Sequence, residues 1–387
     1  LKPKGLAQLI LYTLLPLGVG FSLFAPRFSQ LIEAGYSTKL YYWTIRPYSM
    51  LTGLFPFSLA ELTVVSIIAF IIYQAVRAII IFNKNSVDFV KGLPKKGVRL
   101  ALILAVVYLA FNLMWGLNYS RMTFAEISGL WVEPVSVDEL AELALHLTHW
   151  ANEVREQVAE DDRGVMTLPH GIQDMFYRAH LGYERAAEIY PELGGDYGRP
   201  KGVMLSHYWS YTGIGGVFFP FTAEANVNTN IPHFMLPSTT THEMAHQRGF
   251  AREDEANYIA YLTCALHPDP DFQYSGVMLA LIYTMNELHR YDKETWNEIR
   301  IQYSEGVGRD LRDWQDYMER YEGPVMRMST SINNIYLMAN RQEGGVHSYG
   351  RMVDLMLAEF RVGKLIHTAK LLLDSSWLPF ERDILQR

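Results

Sequence analysis

The chain contains a single cysteine, Cys264, among 387 residues. That excludes an internal disulfide and any metal cluster built from several thiolates. It also lacks an excess of positive charge: 34 Lys and Arg stand against 41 Asp and Glu, for a net charge of −7. No nucleic-acid-binding surface is therefore expected. Internal repeats and low-complexity tracts are missing as well, which removes solenoid and linker-like readings. Charged residues are scarce at 19% against 49% hydrophobic, and mean hydropathy is zero. A length of this order suits one large or two medium domains, with the apolar residues unevenly distributed between them.

They concentrate in three runs. Residues 5–25 carry no charge, follow Lys2 and Lys4, and are long enough to cross a bilayer; we read them as a retained helix rather than a cleaved leader. Residues 57–82 form a second span, with Glu61 near its start and Arg77 near its end, where both can reach the interface by snorkelling. Residues 98–118 form a third, closed by Trp115 and Tyr119 as interfacial aromatics. The loop between spans two and three holds Lys84, Lys91, Lys95, Lys96 and Arg99 against Asp88. The positive-inside rule places this loop and the N-terminus in the cytoplasm and everything after residue 118 outside. The expected organisation is a transmembrane region over residues 1–118 and an extracytoplasmic domain over 119–387.

The second part reads as mainly helical. Ser136 and Glu139 form a capping-box pattern that opens a helix running to about residue 159. Further helices are expected over 172–190, 252–266, 272–291, 308–321, 324–341 and 348–360. Between them the period changes: residues 201–207 and 215–222 read as short strands, interrupted by Gly and Pro as edge strands are. An edge strand beside a catalytic helix could pair with an extended peptide.

The most informative stretch is His242-Glu243-Met244-Ala245-His246, an H-E-x-x-H pattern. Residues four apart share a helix face, so His242 and His246 can present two imidazoles to one metal ion, with Glu243 on the adjoining edge as general base toward a water. The pattern arises by chance in roughly one chain of this length per hundred, so its surroundings must support it. They are polar, unlike those of a membrane span. Ser238 can cap the start of the helix and Gly249 can stop it. An acidic cluster follows: Glu253, Asp254, Glu255, then Asn257. Position 252, where one large zincin group carries a third histidine, is Arg252. Glu253 is therefore the favoured third ligand, with Glu255 as runner-up and Asn257 one turn on as support for a ligand histidine. The alternative for both glutamates is a solvated acidic helix start favoured by the macrodipole. Two imidazoles and a carboxylate suit zinc, one ion per chain. His207, Tyr208 and Tyr211 could stabilise an oxyanion, and Glu224 could bind a peptide terminus or cap a turn.

The three N-terminal runs, the stretch from Pro220 to Asn226, and the block from His242 to Leu262 together resemble a family of bacterial membrane proteins of unknown function. Its members have three N-terminal transmembrane helices and a zincin-like domain with a predicted zinc-peptidase core. The resemblance implies a helical zincin-like domain with a small β-sheet, tethered to the cytoplasmic membrane and acting on peptides or proteins outside it. A non-catalytic membrane sensor or scaffold, with a structural or vestigial metal site, is the competing reading. The intact Glu243 argues against it. A transporter is disfavoured because three spans make little pathway.

Overall fold

The computed structural model describes residues 3–342, 345 and 351–362, with side chains from residue 13 onward. It is mainly helical with one small sheet. Helix α1 covers Pro3–Phe24. A π-helical run, Ile32–Tyr41, continues into α2, Tyr42–Thr52. Helices α3, Leu59–Lys84, and α4, Ser86–Met114, are separated by Asn85 alone, whose side chain accepts the amide of Asp88. The basic stretch expected to be a loop is thus helical: Lys84 ends α3, and Lys91, Lys95, Lys96 and Arg99 lie in the first half of α4.

Among the described residues two helices, α3 and α4, are long and apolar enough to cross a membrane, where three were expected. At 1.5 Å per residue they extend about 39 and 43 Å, more than the roughly 30 Å hydrocarbon core of a bilayer. Their most apolar windows are almost wholly uncovered by protein, as lipid-facing helices are. The first expected span coincides with α1, but the side chains of its opening residues lie outside the described ones. Its later half is not a plain apolar rod: Gly18 abuts Tyr108, and Ser22 hydrogen-bonds both Tyr108 Oη and Asn112 Oδ1 of α4.

The remaining helices surround one buried core. α5, Val137–Arg155, begins at the capping box of Ser136 and Glu139. The helix expected over 172–190 is two, Gly171–Arg178 and His180–Ala187. The sheet has order β1-β3-β2, with β1 at Lys201–Gly202, β2 at Gly216–Phe219 and β3 at Glu224–Val227. β3 is parallel to β1 and antiparallel to β2, so β2 is an edge strand as expected, while the central strand was not anticipated. α6 (Leu236–Gln247), α7 (Glu253–Ala265) and α8 (Pro270–Tyr291) follow, then α9 (Glu305–Tyr321), α10 (Pro324–Ala339) and α11 (Met352–Arg361). Residues 348–350, where the last helix was expected to begin, lie outside the described residues.

The segment before the first long apolar hairpin grips the later part of the chain through buried polar bonds. Arg121 meets Glu33 through two hydrogen bonds of 2.6 and 2.8 Å and lies 4.0 Å over the Phe250 ring. Gln247 at the end of α6 donates to Ser49 Oγ, and Tyr41 Oη donates to the Gln247 carbonyl. The start of α3 is held by the sheet. The Glu224 carboxylate accepts the amides of Leu59 and Ala60 and pairs with buried Lys201, so Glu224 caps a membrane-length helix rather than binding a peptide end. Ser58 donates to Asn226. Glu61 does not snorkel: it is buried and accepts the amides of Met204 and Leu205 at 2.9 and 2.8 Å.

This clasp yields a stability prediction. Glu61→Ala removes the acceptor of two part-buried amides, at about 0.5–1.5 kcal/mol for each bond lost. Thermal unfolding of the detergent-solubilised protein should occur at clearly lower temperature, with Glu61→Gln intermediate. Unchanged unfolding in Glu61→Ala would contradict the clasp.

Candidate metal centre

The site rests on how α6 ends. Its start differs from expectation: Met235, not Ser238, precedes the first helical residue, because Pro237 occupies the opening turn. Ser238 lies inside the helix and its hydroxyl donates to the Met235 carbonyl. The end is as expected. Gly249 adopts φ +84°, a conformation that disfavours any side chain. Its amide bonds the His246 carbonyl, and the amide of Phe250 reaches back to Ala245, the paired bonds of a Schellman stop. Phe250 is fully buried beside Phe124. The chain is thereby reversed within a few residues, and Glu253, the first residue of α7, is carried back to the histidines.

His242, His246 and Glu253 come together. Glu253 Oε2 lies 3.1 Å from His242 Nε2 and 3.4 Å from His246 Nε2, and the three prospective ligand atoms lie within 4.8 Å of one another. Donors at about 2.0–2.2 Å in tetrahedral array around one zinc ion sit roughly 3.3–3.5 Å apart, so the spacing fits with little adjustment. His246 Nδ1 lies 2.7 Å from the Phe250 carbonyl. That bond keeps a proton on Nδ1, so the neutral ring offers its Nε2 lone pair, as a metal ligand requires. Glu255 is engaged elsewhere: its carboxylate accepts the Phe124 amide and an Arg252 guanidinium N–H. Asn257 faces the same cavity and hydrogen-bonds the Tyr283 phenol.

Glu243 occupies the adjoining wall. It is buried, and burial is the main reason its carboxyl is held above the usual range. The Phe218 amide of β2 donates to it. Gly216, on the same strand, leaves room for it: a Cβ there would fall 2.6 Å from Glu243 Cγ. Glu243 and the trio line one cavity of about 930 Å³, at the upper end of small-ligand pockets. Its far wall is the apolar face of α10, and Trp115 and Tyr119 close it near the end of α4. The Trp115 ring stands edge-on to His246 with centroids 5.8 Å apart, and Tyr119 donates to Tyr336 at 3.1 Å.

His207, Tyr208 and Tyr211 are not brought to this cavity. They form an aromatic group with Tyr321, whose hydroxyl lies 3.2 Å from His207 Nδ1. The phenols that do line the cavity are Tyr119, Tyr283, Tyr317 and Tyr336. Tyr119 was read only as an interfacial aromatic. The spacing of Trp115 and Tyr119, one turn apart just past a span, was the signal available. Nothing local singled out Tyr283 or Tyr336, which lie far along the chain.

The DUF3810 family, described as a protein of unknown function, matches residues 36–357, and the chain belongs to it. No curated protein and no solved structure matches the chain.

The electrostatics of the trio give a titration prediction. Burial opposes the charged form of His246, but the Glu253 carboxylate beside it outweighs that and raises it to about 9. Burial would raise Glu253, yet the two imidazoles hold it well below the carboxylate range. In metal-stripped protein His246 should titrate near pH 9 by NMR. Its contribution to stability is full below the ordinary imidazole range and is lost as pH rises through about 9. Zinc loading should abolish that titration. A metal-stripped His246 titrating in the ordinary range would contradict the geometry.

Proposed function

We propose that this protein is a membrane-anchored zinc metallopeptidase that hydrolyses peptide bonds outside the cytoplasmic membrane. The observation that carries the reading is Glu243, a buried carboxylate on the same cavity wall as a two-histidine, one-carboxylate group. A purely structural metal site has no use for it. The membrane placement rests on α3 and α4, and the orientation on the basic residues at the start of α4.

His242, His246 and Glu253 would hold the ion. Bound there, zinc supplies Lewis-acid polarisation of the scissile carbonyl and a lowered pKa for water. Glu243 accepts the proton of the attacking water and returns one to the leaving amine. Its elevated pKa, set by burial, suits both steps. Phe218 aims the carboxylate and Gly216 leaves space for it. Tyr283, raised by burial to about 12, stays protonated and can donate to a developing oxyanion; Tyr119 and Tyr336 are kept protonated in the same way. β2 offers an edge along which an extended peptide backbone can lie.

Elemental analysis of the purified full-length protein should find about one zinc per chain. The zinc should be lost in Glu253→Ala and retained in Glu255→Ala and Glu243→Gln. Hydrolysis of a broad peptide library should fall by about 10²–10⁴-fold in Glu243→Gln. Gly216→Ala should also depress hydrolysis while keeping the metal, because its methyl displaces Glu243. Stoichiometric zinc without any Glu243-dependent hydrolysis would overturn the peptidase reading.

A further inference from the structure

The cavity lies where the membrane hairpin ends. Trp115 follows Met114, the last residue of α4, and its ring contacts His246. A residue one step beyond a span sits at the bilayer interface, so the catalytic wall lies at that level too. Residues on the preceding segment agree: Leu31, Trp43 and Leu54 are 68, 69 and 77% exposed, a pattern costly in water and favourable against lipid.

The wall formed by α10 leads from the cavity toward the same place. This helix carries one charged side chain, Arg327. Met328 and Ile332 line the cavity yet are 61 and 60% exposed, so they form its mouth. Ile335 and Met338 continue the stripe outward at helical spacing and are equally exposed. The end of the stripe meets the membrane helices: Tyr336 stacks edge-on against Phe111 of α4, and Arg341 reaches the Leu23 carbonyl at the end of α1. A continuous apolar surface thus joins the mouth of the cavity to the top of the hairpin.

We propose that the substrate is a polypeptide anchored in the same bilayer, whose segment emerging from the membrane enters the cavity along the α10 stripe and meets the catalytic wall beside β2. This rests on the peptidase reading for its chemistry, though not for its route. A polypeptide rather than a lipid is inferred because the edge strand β2 lines the cavity beside Glu243. Such an edge recognises extended main chain.

The test uses the full-length protein in vesicles. The probe is a randomised peptide library joined to one transmembrane helix, compared with the same library free in solution. A photo-crosslinking residue replaces Ile335 in the Glu243→Gln background, and replaces exposed Ile301 as control. Crosslinking of the anchored library at position 335, with none from the free library and none at 301, is expected. In the otherwise wild-type protein, anchored peptides should be cleaved at least about tenfold faster than free ones, because tethering raises effective concentration at the mouth. Ile335→Asp and Met338→Asp should lower the anchored-to-free ratio while unfolding temperature and zinc content hold. Crosslinking without cleavage would sustain the route and sink the peptidase reading. Equal cleavage of free and anchored peptides, with a ratio unmoved by both substitutions, would overturn the route and leave the peptidase standing. Crosslinks to lipid alone, or to nothing, would also overturn it.

Discussion

Two imidazoles sit within about hydrogen-bond range of one carboxylate in a largely water-excluded corner, with a second carboxylate alongside. Burying such groups is costly unless their charges are offset. Here the offset is mutual: Glu253 raises His246, and the histidines lower Glu253. A divalent cation would replace that arrangement with a stronger one, because each group would then be a ligand in its deprotonated form. The rest of the structure serves to keep these groups in place. The Gly249 turn returns Glu253 to α6, the Phe250 carbonyl orients His246, and β2 abuts Glu243.

Supporting interactions reach back to the beginning of the chain. Glu33, Tyr41 and Ser49 all bond to residues at or beside the end of α6 or the turn that follows it, directly or through Arg121. Glu224 and Glu61 fasten the first membrane-length helix to the sheet and to the loop after β1. The centre and the membrane hairpin are therefore coupled by buried polar bonds, which are expensive to leave half-made. A rigid coupling of this kind would set the position of the candidate metal centre relative to the long apolar hairpin.

The local features could be read from the sequence and the long-range ones could not. H-E-x-x-H declares its own geometry because helical spacing alone puts both imidazoles on one face, and Gly249 declares the stop. The capping box at Ser136 and Glu139 is equally self-contained. β3 escaped because its polar-apolar alternation, Glu224-Ala225-Asn226-Val227, spans only four residues and has just one strong hydrophobe. Its polar side chains are buried by bonds to the start of α3, a partner far away in sequence. Glu61 looked like an interfacial acid for the same reason, since its amide partners lie after β1. Which glutamate faces the histidines depends on where the reversed helix points: Glu253 lies beside them, while Phe124 and Arg252 occupy Glu255. His207 and Tyr211 were plausible by proximity in sequence, yet α9 draws them into a cluster with Tyr321. The cavity phenols come from just past α4, from α8, from α9 and from α10, and only the fold assembles them.

X-ray absorption at the zinc edge of the full-length protein in detergent tests the central claim most directly, because it reads the ligand set rather than the metal content. The account predicts a first shell of two imidazole nitrogens with carboxylate and water oxygens at about 2.0–2.2 Å. A shell containing sulfur, a shell of oxygen alone, or no bound zinc would contradict a metal centre at His242, His246 and Glu253.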